Sequence, residues 1–212
     1  MVELIDLGVR EYRAVWQMQE TLMSEIQLGE RTSCVLTVEH PHVYTLGRNG
    51  NHANMLHLPA NAELVKVNRG GDITYHGPGQ LVVYTIIRLN DLGLDIRQFV
   101  HGLEEVVIRT IGVYGVAGHR IPKATGVWLD PDSSNVRKIC AIGLRCSRST
   151  TMHGFALNVN TDLSYFNHIN PCGFADRGVT SLFKETGRRA DLIAVKKLVI
   201  DNFAEVFGVE IV

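Results

Sequence analysis

An α/β or α+β layer, built as a mixed β-sheet flanked by helices, is the fold class this sequence predicts. Two observations predict it. The periodic segments run helix, several strands, helix, more strands, helix, and some neighbouring strands are joined by links too short for a parallel crossover, so they pair antiparallel. A doubly wound parallel sheet would need a helix between most strands. The 212 residues suit one large domain better than two small ones. Residues 1–212 carry no internal repeat, low-complexity tract or obvious linker, and they read as one domain. A chain this long buries roughly 70% of its unfolded surface, which is enough for a real core.

The elements follow in order. Residues 10–29 carry an amphipathic helical pattern with Tyr12, Val15, Gln19, Leu22 and Ile26 on one face. Cys34 to Glu39 and Val43 to Leu46 are β-rich and are broken by His40-Pro41, a turn or edge signal. Glu63 to Asn68 alternates as a short strand that delivers the chain to Arg69. The segment Arg69 to Gln80 holds four glycines and a proline within twelve residues and reads as a shaped loop. Leu81 to Leu89 is a long β-rich run, placed as a central strand. Asp95 is a good N-cap for a helix of about twenty residues whose core side carries Phe99, Leu103, Val106 and Val107. Short strands are expected near Ala124–Asp130, Lys138–Arg145 and Thr151–Asn158, and residues 160–180 are loop-like. Ala190–Phe207 reads as a final helix with Leu192, Val195, Leu198 and Val199 as its apolar stripe.

Bulk properties exclude several function classes. Hydrophobic residues make up 45% of the chain, so it is neither disordered nor membrane-spanning. No apolar run reaches the roughly 18 residues of a membrane helix. The start Met-Val-Glu-Leu-Ile-Asp lacks a secretory pattern. A net charge of −1 argues against bulk electrostatic binding to nucleic acid. The cysteines Cys34, Cys140, Cys146 and Cys172 form no C-x-x-C pair, which speaks against structural zinc. They read as free thiols in a reducing compartment, the cytoplasm.

Common catalytic signatures are absent: there is no P-loop, G-x-G-x-x-G, H-E-x-x-H or G-x-S-x-G. What stands out is the glycine-rich loop, with Arg69 and His76 at its two ends, and a small set of reactive groups. Cys172 sits between Pro171 and Gly173, where a thiol is better presented than in a strand. A cysteine attacks as the thiolate, so a cationic or basic partner must lower its pKa of about 8.5. Lys138 opens the apolar strand Lys-Ile-Cys-Ala-Ile-Gly, where a lysine is costly unless paired, functional or snorkelling at an edge. Strict alternation puts Lys138, Cys140 and Ile142 on one face and Ile139 and Ala141 on the other. That makes Cys140 a rival nucleophile, although buried strand cysteines are usually inert. His40 and His42 could bind a metal only with further ligands; lining a pocket or capping a turn is the plainer role. Gly154, after His153, offers a close backbone approach. Arg137, Arg145 and Arg148 form either a basic patch for an acidic partner or an ordinary solvated face.

Taken together these residues resemble the octanoyltransferase family, which makes the first intermediate of protein lipoylation. Arg-Gly-Gly-Asp-Ile-Thr-Tyr-His-Gly-Pro-Gly-Gln is similar to that family's long signature, and Lys-Ile-Cys-Ala-Ile-Gly to its lysine strand. His-Gly-Phe-Ala-Leu-Asn-Val-Asn resembles its next strand, and Asn-Pro-Cys-Gly the loop bearing its nucleophile. These segments span about His40 to Leu182 in family order; Cys140 departs, standing where alanine is usual. The resemblance implies a biotin/lipoate protein ligase-like fold and a single catalytic domain. It implies transfer of an octanoyl group from octanoyl-acyl carrier protein to a lysine of lipoyl domains, those of 2-oxoacid dehydrogenase complexes and the H protein of glycine cleavage, with no cofactor and no metal. Cys172 would be the acyl-thioester nucleophile, and Lys138 would tune its pKa or shuttle protons. Arg69, Gly70, Gly71, Asp72, Ile73, Thr74, Tyr75 and His76 would line the acyl pocket with Ala141, Ile142, Gly143, Gly154, Phe155 and Ala156. Physics agrees: thioester exchange is near neutral and amide formation runs downhill, so no ATP is needed, and a cysteine splits one hard step into two. The alternatives are an ATP-dependent lipoate or biotin ligase of the same fold and a non-enzymatic adaptor that docks carrier proteins.

Overall fold

Gln80–Ile86 is buried at every position, and the computed structural model, which describes residues 1–170 and 178–212, shows why. This strand lies inside a mixed sheet with packed layers on both faces. The chain runs β1 (Glu3–Val9), α1 (Tyr12–Leu28), β2 (Cys34–Glu39), β3 (Val43–Leu46), β4 (Glu63–Lys66), β5 (Ile73–His76) and β6 (Gln80–Ile86). It continues through α2 (Ile96–Gly112), β7 (His119–Ile121), β8 (Ala124–Leu129), β9 (Arg137–Ser147), β10 (Thr150–Asn158), β11 (Gly178–Val179), α3 (Leu182–Thr186) and α4 (Leu192–Phe207). The main sheet has the order β1-β2-β6-β10-β9-β8-β7, with β11 also on β9. The β1–β2 and β11–β9 pairs are parallel and the other pairs antiparallel. A smaller sheet has the order β4-β3-β5.

Side-chain alternation sorts the strands between two cores. Leu81 and Val83 of β6 join Phe155 and Leu157 of β10 under α2 and α4. Val82 and Tyr84 face the other way, with Ala156, toward α1 and its Tyr12, Val15, Leu22 and Ile26. The expected face of α1 is thus its buried face, and Gln19 is buried with it. Asp95 caps α2 with a full capping box: its carboxylate accepts from the Arg97 and Gln98 amides, and Gln98 accepts from the Asp95 amide.

Several features go beyond what the sequence leads one to expect. β1 is a strand along the edge of the main sheet, where the sequence shows only a short mixed segment. His40-Pro41 carries the chain from one sheet to the other. Within the glycine-rich segment, Ile73–His76 is not loop: it pairs antiparallel with β3. In β9, Val127 pairs with Cys140 and Trp128 with Lys138, so Ile139 is an extra, bulged residue. The bulge overturns the alternation expected there. Ile139 and Cys140 both enter the α2/α4 core, while Lys138 and Ala141 border the opposite side.

Candidate functional site

A cavity lies on the α1 side of the main sheet. Its floor is laid in rows across three strands: Gln80, Val82 and Tyr84 of β6, Asn158, Ala156 and Gly154 of β10, and Lys138, Ala141 and Gly143 of β9. Arg69 to Thr74 and His76 form the opposite wall, and Tyr12, His153, Phe166 and Val179 complete it. Every expected pocket residue among the described ones borders this cavity except Tyr75. Alternation along β5 turns the Tyr75 ring into a separate core with Tyr44 and Phe166, where its hydroxyl meets His42 Nδ1 at 2.7 Å. Phe155 and Ile142 face the α2/α4 core, so they border the cavity through their backbone. Lining residues that sequence reasoning took only as core or left aside are Tyr12, Gln80, Val82, Tyr84, Asn158, Phe166 and Val179. The signal for β6 was its alternation, which puts every second residue on the side opposite Leu81 and Val83.

The glycines are required by backbone contact more than by space for a ligand. A Cβ on Gly154 would stand 2.0 Å from the Val83 carbonyl oxygen, and one on Gly143 3.1 Å from the Gly70 carbonyl oxygen. The Arg69–Gly70 turn therefore crosses β9 at close range, and the Gly70 amide donates to the Leu144 carbonyl at 2.9 Å. Asp72 ties its loop to the β3–β4 connection. One carboxylate oxygen accepts from the Ile73 and Asn51 amides at 2.7 and 3.1 Å, and the other accepts from the Asn54 side chain.

A directed chain of hydrogen bonds fixes the polar wall. Arg69 donates from Nη2 to the Thr45 carbonyl at 2.6 Å and to the Thr45 hydroxyl at 2.8 Å. That hydroxyl donates onward to His76 Nε2 at 3.4 Å. His76 Nδ1 then carries the proton and donates to Gln80 Oε1 at 2.8 Å, because the Gln80 amide nitrogen is donating to Asn158 Oδ1 and to the Tyr75 carbonyl. The Asn158 amide in turn donates to the Thr180 carbonyl at 3.0 Å. His40 is also engaged at both ring nitrogens, by the Arg10 carbonyl and the Tyr84 hydroxyl, each at 2.7 Å. His42 stacks on Tyr165 at 4.2 Å. Among the described residues no group of three or more His, Cys, Asp or Glu is placed to hold a metal ion.

Burial lowers the pKa of three histidines. His40 falls to about 4, and His76 and His153 to about 3, the latter two helped by the nearby Arg69 charge. All three are neutral in the native protein at neutral pH, whereas the unfolded chain takes up their protons from about pH 6.5 downward. The unfolded state then binds more protons, so stability falls as pH drops below 6.5, by up to roughly 1.4 kcal/mol per histidine per pH unit. Urea midpoints measured at pH 7, 6 and 5 are expected to decline steeply; equal midpoints at pH 7 and pH 5 would contradict this.

Lys138 stands at the β8 edge of the floor. Its Nζ donates to the Thr125 carbonyl at 3.3 Å and lies 4.5 Å from the centre of the Trp128 ring. Cys140 has no exposed surface, does not border the cavity, and its thiol is pushed far up by burial. Cys172 lies outside the described residues. On its C-terminal side, Val179 pairs with Lys138; on its N-terminal side, the Asn170 amide donates to the Asn54 carbonyl at 2.8 Å. Arg137 contributes no free cation to a basic patch: Glu185 grips it at two positions, 2.7 and 2.6 Å, and Asp130 takes its remaining edge.

The family model for the lipoyl protein ligase A/B catalytic domain matches residues 11–204. An octanoyltransferase of Bacteroides fragilis strain YCH46 is 53% identical over 196 residues, covering 88% of this chain and 89% of its own. The chain belongs to the octanoyltransferase family. As a member of that family it is an acyltransferase. Two solved structures share its fold. Lipoate-protein ligase A bound with ATP superposes with a TM-score of 0.81 at 15% identity, covering 100% of this chain and 87% of its own. The biotin protein ligase of Aquifex aeolicus reaches 0.55 at 15% identity, covering 97% and 69%. At identities this low they establish the fold alone, the mixed sheet flanked by helices. No helix among the described residues of this octanoyltransferase-family chain is long and apolar enough to cross a membrane.

Proposed function

We propose that this acyltransferase moves an octanoyl group from octanoyl-acyl carrier protein to a lysine of lipoyl domains through a thioester on Cys172, as one catalytic domain, residues 1–212, in the cytoplasm. The acceptors are the lipoyl domains of 2-oxoacid dehydrogenase complexes and the H protein of glycine cleavage. The observation that carries this reading is the cavity. It has Lys138 at one edge, an apolar row of Val82, Ala156 and Ala141 across its floor, and a polar wall already occupied by its own hydrogen bonds. Six residues lie between Cys172 and Val179, which is beside Lys138, a reach of at most about 25 Å of chain.

The steps balance as follows. The Cys172 thiolate adds to the carbonyl carbon of the donor thioester, the bond to the carrier's sulfur breaks, and the Lys138 ammonium protonates the departing thiolate. The now neutral Lys138 amine takes a proton from the acceptor's ammonium. The freed amine attacks the Cys172 thioester, the cysteine leaves as thiolate, and the amide loses one proton to solvent. The enzyme returns to thiolate and ammonium. Each methylene the substrate buries against the floor contributes about 0.8 kcal/mol. Arginine at position 138 keeps a positive charge but cannot shuttle protons. Lys138→Arg is therefore expected to lower the transfer rate about a hundredfold, near the low end of general acid–base contributions. Wild-type turnover in that variant would leave Lys138 only an electrostatic role.

The test is the intact mass of the protein after mixing with octanoyl-carrier protein, without ATP and without acceptor. An octanoyl adduct that maps to Cys172 and is released by hydroxylamine is expected. An adduct elsewhere, or transfer strictly dependent on ATP and free octanoate, would overturn the reading; the second outcome would favour an ATP-dependent ligase.

A further inference from the structure

β8 presents three features to one side chain. Gly126 has φ +122°, and a Cβ there would meet the Cys140 carbonyl oxygen at 2.5 Å and stand 3.4 Å from Lys138 Cε and 3.6 Å from its Cδ, so the lysine stem packs against the open face of this glycine. The Thr125 carbonyl accepts from Lys138 Nζ at 3.3 Å. The Trp128 ring, paired directly across from Lys138 in the sheet, faces the same nitrogen at 4.5 Å. The ring is itself locked: Trp128 is buried, and its Nε1 donates to the Ala124 carbonyl at 2.8 Å. The bulge at Ile139 is what turns Lys138 out of the α2/α4 core onto this cradle.

We propose that Trp128 is a positioning residue for Lys138, holding its side chain as the ammonium at the edge of the cavity. A ring face and a carbonyl oxygen both attract a cation and have nothing comparable to offer a neutral amine. They oppose the desolvation that would otherwise drive a half-buried lysine toward the amine. The pair therefore sets how readily Lys138 parts with its proton. Other charges near the cradle among the described residues are already paired: Glu104 of α2 with Arg120, and Arg137 with Glu185 and Asp130. Arg69, His76 and His153 border the same cavity. The inference rests on the catalytic reading of Lys138 given above, and its test has a readout that does not need turnover.

The chain has two tryptophans, Trp16 and Trp128. In a Trp16→Phe background, Trp128 is replaced biosynthetically by mono-, di- and trifluorinated tryptophan, which keeps the ring's shape while draining charge from its face. The pKa of Lys138 is read from the pH dependence of its reductive methylation, mapped by mass spectrometry. The expected result is a stepwise fall totalling about half a unit to one unit, on the scale of a cation–π contact. The alkaline limb of the transfer pH profile should move by the same amount. Trp128→Phe should keep part of the effect and Trp128→Leu, if it melts near wild type, should lose it. A Lys138 pKa that stays constant across the fluorinated series would overturn the proposal. If the pKa moves while Lys138→Ala still transfers octanoate normally, the cradle stands and it is the catalytic reading of Lys138 that fails.

Discussion

Cys172→Ala is expected to lower octanoyl transfer by about a thousandfold or more while leaving the thermal melt within a few degrees of wild type. On the proposed thioester route, this substitution removes the nucleophile and leaves only what positioning can do, so the loss is the largest any single substitution should produce. The paired control is Cys140→Ala. Cys140 is buried in the α2/α4 core, away from the cavity, and burial holds its thiol protonated. A thiol with that environment cannot supply a thiolate at neutral pH. Cys140→Ala should therefore retain near wild-type turnover with a small loss of stability from the missing packing. The comparison is a steady-state transfer assay on both variants. Normal turnover by Cys172→Ala, or its loss in Cys140→Ala, would reverse the assignment of the nucleophile.

Gly154→Ala is expected to be the most damaging substitution for stability. A Cβ there would sit 2.0 Å from the Val83 carbonyl oxygen and 3.1 Å from Tyr84 Cα. Both are backbone atoms, and no rotamer relieves them. Gly154 is paired on one side with Tyr84 of β6 and on the other with Gly143 of β9, so relief requires moving strands that form the centre of the sheet. Overpacking of this kind costs about 3 kcal/mol or more, which lowers Tm by roughly 6–12 °C for a chain of this size. Gly112→Ala is the matched control. It lies exposed in the last turn of α2, and a methyl group there would have nothing within 4 Å. Alanine is the better helix former at that position by up to about 1 kcal/mol. Differential scanning calorimetry on the two variants should show opposite signs. A Gly154→Ala protein that melts with wild type would mean that β6 and β10 can separate at that point without penalty.

Much of the cavity was legible in the sequence because its parts announce themselves locally. Arg69 to His76 concentrates glycines around an arginine and a histidine, and Gly154 after His153 signals a close backbone approach. These segments, far apart in the chain, border one cavity. The exception, Tyr75, follows from β5 being a strand: alternation sends Thr74 and His76 to the cavity and Tyr75 to the core behind it. The polar chain from Arg69 through Thr45, His76, Gln80 and Asn158 was not legible, since Thr45 and Asn158 come from strands far from the Arg69–Gln80 segment and only the sheet register brings them to it.

Local patterns in the chain were enough for the class of fold, the buried face of α1, the start of α2 at the Asp95 cap and the strand bounds of β2 and β3. Each depends on periodicity, capping or turn chemistry within a few residues, which the chain states directly. Tertiary structure alone decided the partners. β1 is a strand because β2 lies beside it in parallel register. His40-Pro41 divides two sheets and does not merely end a strand, and Arg137 is claimed by Glu185 from a helix far along the chain. The bulge at Ile139 reverses the faces of β9, placing Lys138 on the cavity side and Cys140 in the core. A one-residue change of register flips every following side chain, and register is set by non-local pairing, which no local pattern records.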